Sequence, residues 1–413
     1  MLPPVLEIYV VWHPDDRTGA LAAQQLVGHF HGTQFTGLIG GAIEVYVRSE
    51  AWRSAADAPR PIPSPGSPLP NGVINAQYVA VVLVVGLGLA RAVQPARGPW
   101  FEYITTLMRT QEASPQCTRV FPLFVVDSKA LYCTTVERII GRYQRLGDSV
   151  PATGNALDTS WRCDLVQGLV QFAEGSGRRL RVFLSYTRQA IGNESSALEL
   201  TQVVRAVIAD TRLAEFFDAR NIQAGEDWQE AIRSNASRSA LLALRTDLYA
   251  SRTWCQWEIL TAKEEGAPVV ILNALERGEE RGSFIMDHVP RVPVRRSGNG
   301  WARKDINAGL AVLVDECLKR TLWERQRDLA IGQYDLDVVW WAPHAPEPVT
   351  LAKWLLQQRL TGQLDGTGPL RVLHPDPPLG PPERLVLDRL IHLSGITRDL
   401  DVMTPRLLAA RGG

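Results

Sequence analysis

The stretch LRVFLSYTR, residues 180–188, turns from basic to apolar to polar within nine residues. A short apolar run rich in β-branched and aromatic side chains, bounded by polar ones, predicts a strand buried on both faces. The segment SSALELTQVVRAVIADTR (195–212) that follows repeats its apolar residues at three- and four-residue spacing, which predicts an amphipathic helix. The same succession occurs twice more. LEIYVVWHPDD (6–16) precedes GALAAQQLVGHF (19–30), and YDLDVVWWAPH (334–344) precedes PVTLAKWLLQQRL (348–360). Strands alternating with helices predict an α/β protein with parallel sheets, whose ligand crevices lie at the carboxyl ends of the strands.

Composition shifts set the expected boundaries. A first α/β domain covers 1–175 and ends in the polar EGSGRR stretch, a second covers 178–328, and a small α/β unit covers 329–413. The first is expected to hold strands near 7–12, 43–48, 78–86 and 119–126, with the proline-rich 58–72 as a surface loop. Its run YVAVVLVVGLGLARAV (78–93) is glycine-interrupted, carries Arg91 and is β-branched, so it predicts a central strand and not a membrane helix.

The middle segment carries the chemistry. After its first strand and helix come EFFDARNIQAGEDWQEAI (215–232), the strand ALLAL (240–244), the helix SRTWCQWEILTAKEEG (251–266), the strand APVVILNAL (267–275) and HVPRVPV (288–294) as a last strand. Within the helix, RTWCQWEIL (252–260) sets one carboxylate, Glu258, among two tryptophans, a cysteine, an isoleucine and a leucine. Burying a carboxylate costs stability unless something pairs with it. Trp254 and Glu258 are four residues apart and share a helical face, with Cβ atoms about 5–6 Å apart. Ser251 is the expected N-cap, Trp257 a core residue, and Gly266 and Pro268 the stop.

This segment resembles the TIR (Toll/interleukin-1 receptor) domain, a flavodoxin-like parallel-sheet fold. The resemblance covers about a third of the chain. It rests on F-L-S-Y at 183–186, F-D-x-x-x-I-x-x-G at 217–225 and W-C-x-x-E at 254–258, in the family's order. TIR domains divide into scaffolds of immune receptors and enzymes that cleave the nicotinamide–ribose bond of NAD⁺. The enzymes carry a glutamate where this chain has Glu258, which the resemblance makes the catalytic residue of an NAD⁺ glycohydrolase or cyclase. The substrate contacts it implies are Trp254, Ser185, Tyr186, Arg188, Phe217, Asp218, Gly225 and Trp228. Arg188 either holds a phosphate or forms a surface ion pair, Asp218 orients its loop or caps a turn, and Trp228 covers the nucleotide or starts a helix core. Arg220 and Asn221 stand where related NADases carry an acidic–basic pair. NAD⁺ would be substrate, with no cofactor and no metal.

The first domain is expected to be a degenerate, non-catalytic TIR-like copy. RGPWFEYITTLMR (97–109) stands in place of the glutamate helix and sets Glu102 opposite Glu258, with Gly98 in place of Trp254. His13, Asp15 and Asp16 read as a polar turn.

Lys+Arg and Asp+Glu both total 44, so no charge excess points to nucleic acid or membrane. The five cysteines are scattered, without a C-x-x-C pair, which suits a reducing cytoplasm. The expectation is therefore a cytoplasmic antiphage-type effector that self-associates through its TIR units. Its flanking domains would answer an upstream sensor or nucleotide messenger. A non-catalytic TIR scaffold is the second reading, and a deoxyribosyltransferase-like enzyme the third.

Overall fold

The computed structural model describes the chain except residues 1–3, 33–34, 36–41, 55–56, 69–74, 95–97, 132–133, 148–151, 154–155, 158–159, 188–194, 218–238, 280, 299, 334–339, 363, 365–367 and 412–413. The fold is α/β with parallel sheets, in two compact units. One comprises Met1–Gly177 with Thr321–Tyr334, the other Arg178–Arg320 with Asp335–Gly413. Among the described residues no helix is long and apolar enough to cross a membrane.

The first unit contains β1 (Leu6–Val11), α1 (Arg17–Phe30), β2 (Ile43–Arg48), β3 (Tyr78–Val85), α2 (Leu87–Val93), α3 (Pro99–Ala113), β4 (Thr118–Phe124), α4 (Thr135–Ile140) and α5 (Ser160–Glu174). Its sheet runs β2-β1-β3-β4, all parallel. The glycine-interrupted apolar run supplies β3, inside the sheet with all eight residues buried. Strand order reverses between β1 and β3, where a parallel sheet opens a crevice. Here the polar turn fills it. Asp16 Oδ1 accepts from the Gly88 amide at 2.7 Å and Oδ2 from the Leu89 amide at 2.8 Å, so the chain's own carboxylate occupies the positive end of α2.

The expected pairing of Glu102 with Glu258 is corrected by burial phase. Trp100, Tyr103, Ile104, Leu107 and Met108 form the buried side of α3, while Glu102 is exposed. The glutamate helix buries Cys255, Glu258, Ile259, Ala262 and Lys263 in the same rhythm. Tyr103 therefore holds the phase of Glu258, and Glu102 that of Trp257.

The second unit begins with β5 (Arg181–Ser185), α6 (Ser195–Ala209), β6 (Ala214–Phe217), β7 (Ala240–Arg245), α7 (Thr253–Glu264), β8 (Val269–Asn273), β9 (Arg291–Pro293) and α8 (Arg303–Gln333), the last contributing its residues through Arg320. Its sheet runs β9-β8-β7-β5-β6, all parallel. Counted within the unit this is 2-1-3-4-5, a doubly wound order whose crevice lies at the carboxyl ends of the first and third strands, β5 and β7. The α7 face of the sheet is packed with Phe183, Leu241, Ala243, Ile259, Val269 and Ile271.

The chain's last segment belongs to the same compact unit. It forms β10 (Trp340–Trp341), α9 (Pro348–Thr361), β11 (Leu370–Leu373), α10 (Pro381–Leu393), β12 (Leu400–Met403) and α11 (Pro405–Ala410), with a parallel sheet β10-β11-β12. Trp340 stacks on Trp354 with ring centroids 5.1 Å apart.

Two histidines follow its strands. His374 is 1% exposed, and its Nδ1 lies 2.7 Å from the Pro375 carbonyl, which can only accept, so Nδ1 carries the proton. Burial pushes His374 down to about 4, and burial with Lys263 and Arg320 nearby pushes His344 down to about 4. Both are therefore neutral when folded, while the unfolded chain protonates them near 6.5. Stability should then be full above pH 6.5 and fall as pH drops from 6.5 toward 4. The loss is on the order of 3 kcal/mol for the fully buried His374, partly offset by Asp376, whose carboxyl burial raises. Urea unfolding at pH 7 and pH 5, followed by near-ultraviolet circular dichroism of the Trp340–Trp354 pair, checks this. His374→Gln should flatten the dependence.

Candidate active site

Alternation along β5 decides which side chains can meet. Phe183 packs into the α7-side core, and Ser185, two residues on, ends the same face. Ser185 pairs with Ala243 across β7, so its hydroxyl stands at the carboxyl-edge crevice. Helix α7 supplies the partner. Glu258 is 2% exposed, and Ser185 Oγ donates to its Oε2. The Trp254 indole Nε1 donates to Oε1 at 2.5 Å, a bond that the four-residue offset makes possible within one helix.

Tyr249 completes the group. It lies in the 3-10 turn Tyr249–Ser251 that leads into α7, is fully buried, and its hydroxyl is 2.5 Å from Ser185 Oγ. The single Ser185 hydroxyl proton goes to Glu258, so the tyrosine is the donor in this bond. Burial first, then the neighbouring Cys255 and Glu258, hold the Tyr249 hydroxyl well above its ordinary pKa and keep it protonated. The result is a relay Tyr249→Ser185→Glu258, with Trp254 on the other carboxylate oxygen. These two bonds fall on different oxygens of the carboxylate, so both are held.

The site residues expected from sequence separate into three groups. Glu258, Trp254 and Ser185 are brought together. Tyr186 is 4% exposed but lies on the opposite face of β5, where its hydroxyl accepts from Arg205 of α6 at 3.3 Å. Phe217 closes β6, on the far side of β5 from β7. Arg188, Asp218, Gly225 and Trp228 lie outside the described residues, as do Arg220 and Asn221.

Two local expectations are corrected. Ser251 does not cap α7. Arg252 occupies the N-cap position, and the Ser251 hydroxyl donates to the Leu248 carbonyl at 2.8 Å, because the preceding 3-10 turn already holds it. Trp257 is not core. It is 43% exposed, since the buried phase of α7 passes through Glu258 and Ile259 instead.

Tyr249 was not singled out in the sequence. The signal available was its place in TDLYAS, just past the carboxyl end of β7, where a parallel sheet gathers polar groups. Arg245 is the last residue of β7. Its guanidinium is clasped by Glu279, with Nε donating to Oε1 at 2.6 Å, and this bond holds its pKa up.

In comparisons with known proteins, no family model matches the chain and no curated protein matches it.

Ser185→Ala should expose how much the carboxylate depends on its donor. It removes one hydrogen bond to buried Glu258 and leaves the Tyr249 hydroxyl without its acceptor. The expected loss is about 1–3 kcal/mol, read by denaturant unfolding, with Tyr249→Phe costing about 1 kcal/mol less.

Proposed function

We propose that the middle segment is a TIR-type domain of flavodoxin-like fold, and that it cleaves the nicotinamide–ribose bond of NAD⁺ with Glu258 as its working carboxylate. One observation carries this reading: a fully buried glutamate, held on both oxygens by neutral donors, at the β5–β7 crevice of a 2-1-3-4-5 sheet. The TIR-like boxes at 183–186 and 254–258 fall on the residues that build this group.

The chemistry needs little more than a placed carboxylate. Glycoside hydrolases generally use two, one of them an acid that protonates a poor leaving group. Nicotinamide leaves NAD⁺ as a neutral molecule from a cationic state, so no acid is required. The C1′–N bond breaks with its electron pair going to the pyridine nitrogen. Glu258 faces the positive charge that develops on the ribose and stabilises it electrostatically. Water then attacks C1′ and gives up a proton, yielding ADP-ribose. The Trp254 indole and Ser185 keep the carboxylate from turning away, so it meets the transition state already oriented.

The exposed aromatic Trp257, on the outer face of the same helix, favours a second reading, a TIR scaffold in which Glu258 merely ties α7 to β5. Activity separates the two. The full chain at high concentration, and with a crowding agent to promote self-association, should release nicotinamide from NAD⁺. Glu258→Ala should lower the rate by about 10²–10³ or more. Absence of glutamate-dependent release under every condition would sink the enzyme reading and leave the scaffold.

A further inference from the structure

Helix α7 buries a second ionisable side chain, five residues beyond Glu258. Lys263 is 4% exposed. Its ammonium lies 2.8 Å from Glu347 Oε1 and 3.0 Å from Oε2, and donates to the Asp287 carbonyl at 2.7 Å. Glu347, itself 4% exposed, is the N-cap of α9. Its carboxylate accepts from the backbone amide of Thr350, while Thr350 Oγ1 accepts from the Glu347 amide at 3.1 Å. The last turn of one helix is thereby joined to the first turn of another. Each charge sits at the end of its helix that the peptide dipoles favour, the cation at the C-terminus and the anion at the N-terminus.

Two further contacts fall at the C-terminal end of α7 and just beyond it. Lys353 of α9 donates to the Glu264 carbonyl at 2.9 Å and to Glu265 Oε1 at 3.1 Å. Gly266, at φ +63°, approaches Pro343 so closely that an added Cβ would stand 2.5 Å from its ring. The segment after β10 thus grips the C-terminal end of α7 at three points. Glu258 is carried at the middle of the helix, about 7.5 Å from Lys263 along the axis.

A buried ion pair is a poor device for stability alone, because apolar groups of the same shape often do as well. What it does impose is one geometry, since neither charge tolerates separation. At an outer helix radius of about 5–6 Å, a 10° rotation of α7 would move the carboxylate by about 1 Å. Displacements of that size cost catalytic groups up to about 10² in rate.

We propose that the Lys263–Glu347 pair is a positioning device for Glu258, through which the chain's C-terminal segment sets the rotation of the glutamate helix and so governs the site. The proposal rests on Glu258 being the working carboxylate only for its effect on rate. The mechanical coupling has its own readout, the Trp254 indole N–H bonded to Glu258.

The test uses the full-length chain with ¹⁵N-labelled tryptophan, the Trp254 indole resonance being assigned by its loss in Trp254→Phe. Two variants are compared. Glu347→Gln leaves a buried ammonium facing a neutral partner. Lys263→Met with Glu347→Gln removes both charges, keeps an acceptor at the α9 cap and retains the packed stem, so it holds the fold if the single variant does not. Both should shift the Trp254 indole resonance and lower kcat for nicotinamide release about tenfold with KM little changed, even where the double variant melts at the wild-type temperature. A double variant with wild-type melting, an unmoved resonance and unchanged kcat would overturn the proposal and leave the pair merely structural. A shifted resonance in a chain that releases no nicotinamide even as wild type would uphold the coupling and defeat the enzymatic reading instead.

Discussion

A carboxylate can leave water only if donors meet it, and Glu258 is met from two directions. The indole of Trp254 reaches it along its own helix, and the hydroxyl of Ser185 reaches it across from the sheet. That joint ties α7 to the carboxyl end of β5. An apolar residue at 258 would pack against the sheet without selecting a rotation. The glutamate narrows the choice, because both of its oxygens must meet donors. Tyr249 stands behind Ser185 and keeps the relay directed toward the carboxylate.

The same physical demand is answered elsewhere by different means. The carboxyl ends of parallel strands leave loops and helix starts whose amides need acceptors. Asp16 takes two amides at the start of α2. Asp247, just past β7, accepts from the amides of Glu276, Arg277 and Gly278. Glu347 caps α9. Each of these carboxylates comes from a loop or cap and accepts from backbone amides, Glu347 meeting the Lys263 ammonium as well. Glu258 differs in coming from the middle of a helix and in being held on both oxygens by neutral side chains. In the first unit the equivalent helical phase carries Tyr103, and Asp16 occupies the crevice, so the described residues there do not reproduce the arrangement.

Much of this was legible before any fold was known. The strands at 6–11, 43–48, 78–85, 118–124, 181–185, 240–245 and 269–273 follow from apolar, β-branched runs between polar turns. The pairing of Trp254 with Glu258 follows from a four-residue offset. Less legible were properties that depend on phase and reach. Trp257 looked like core because tryptophan is apolar, but the helix buries the side one residue over. Ser251 looked like a cap, but the turn ahead of it had already engaged its hydroxyl. Glu102 looked like a second Glu258, and a one-residue phase shift put it in solvent.

The sequence by itself determined the parallel α/β class, most strand positions and the helix that carries the carboxylate, because these rest on local periodicity and on turn chemistry. Tertiary structure decided which face of β5 meets α7, and hence that Ser185 and not Tyr186 joins Glu258. It also decided that Tyr249, nine residues upstream, lies behind them, and that Lys263 finds Glu347 eighty-four residues away. Such partners are set by strand order and register, which bring together residues whose separation along the chain carries no signal of contact.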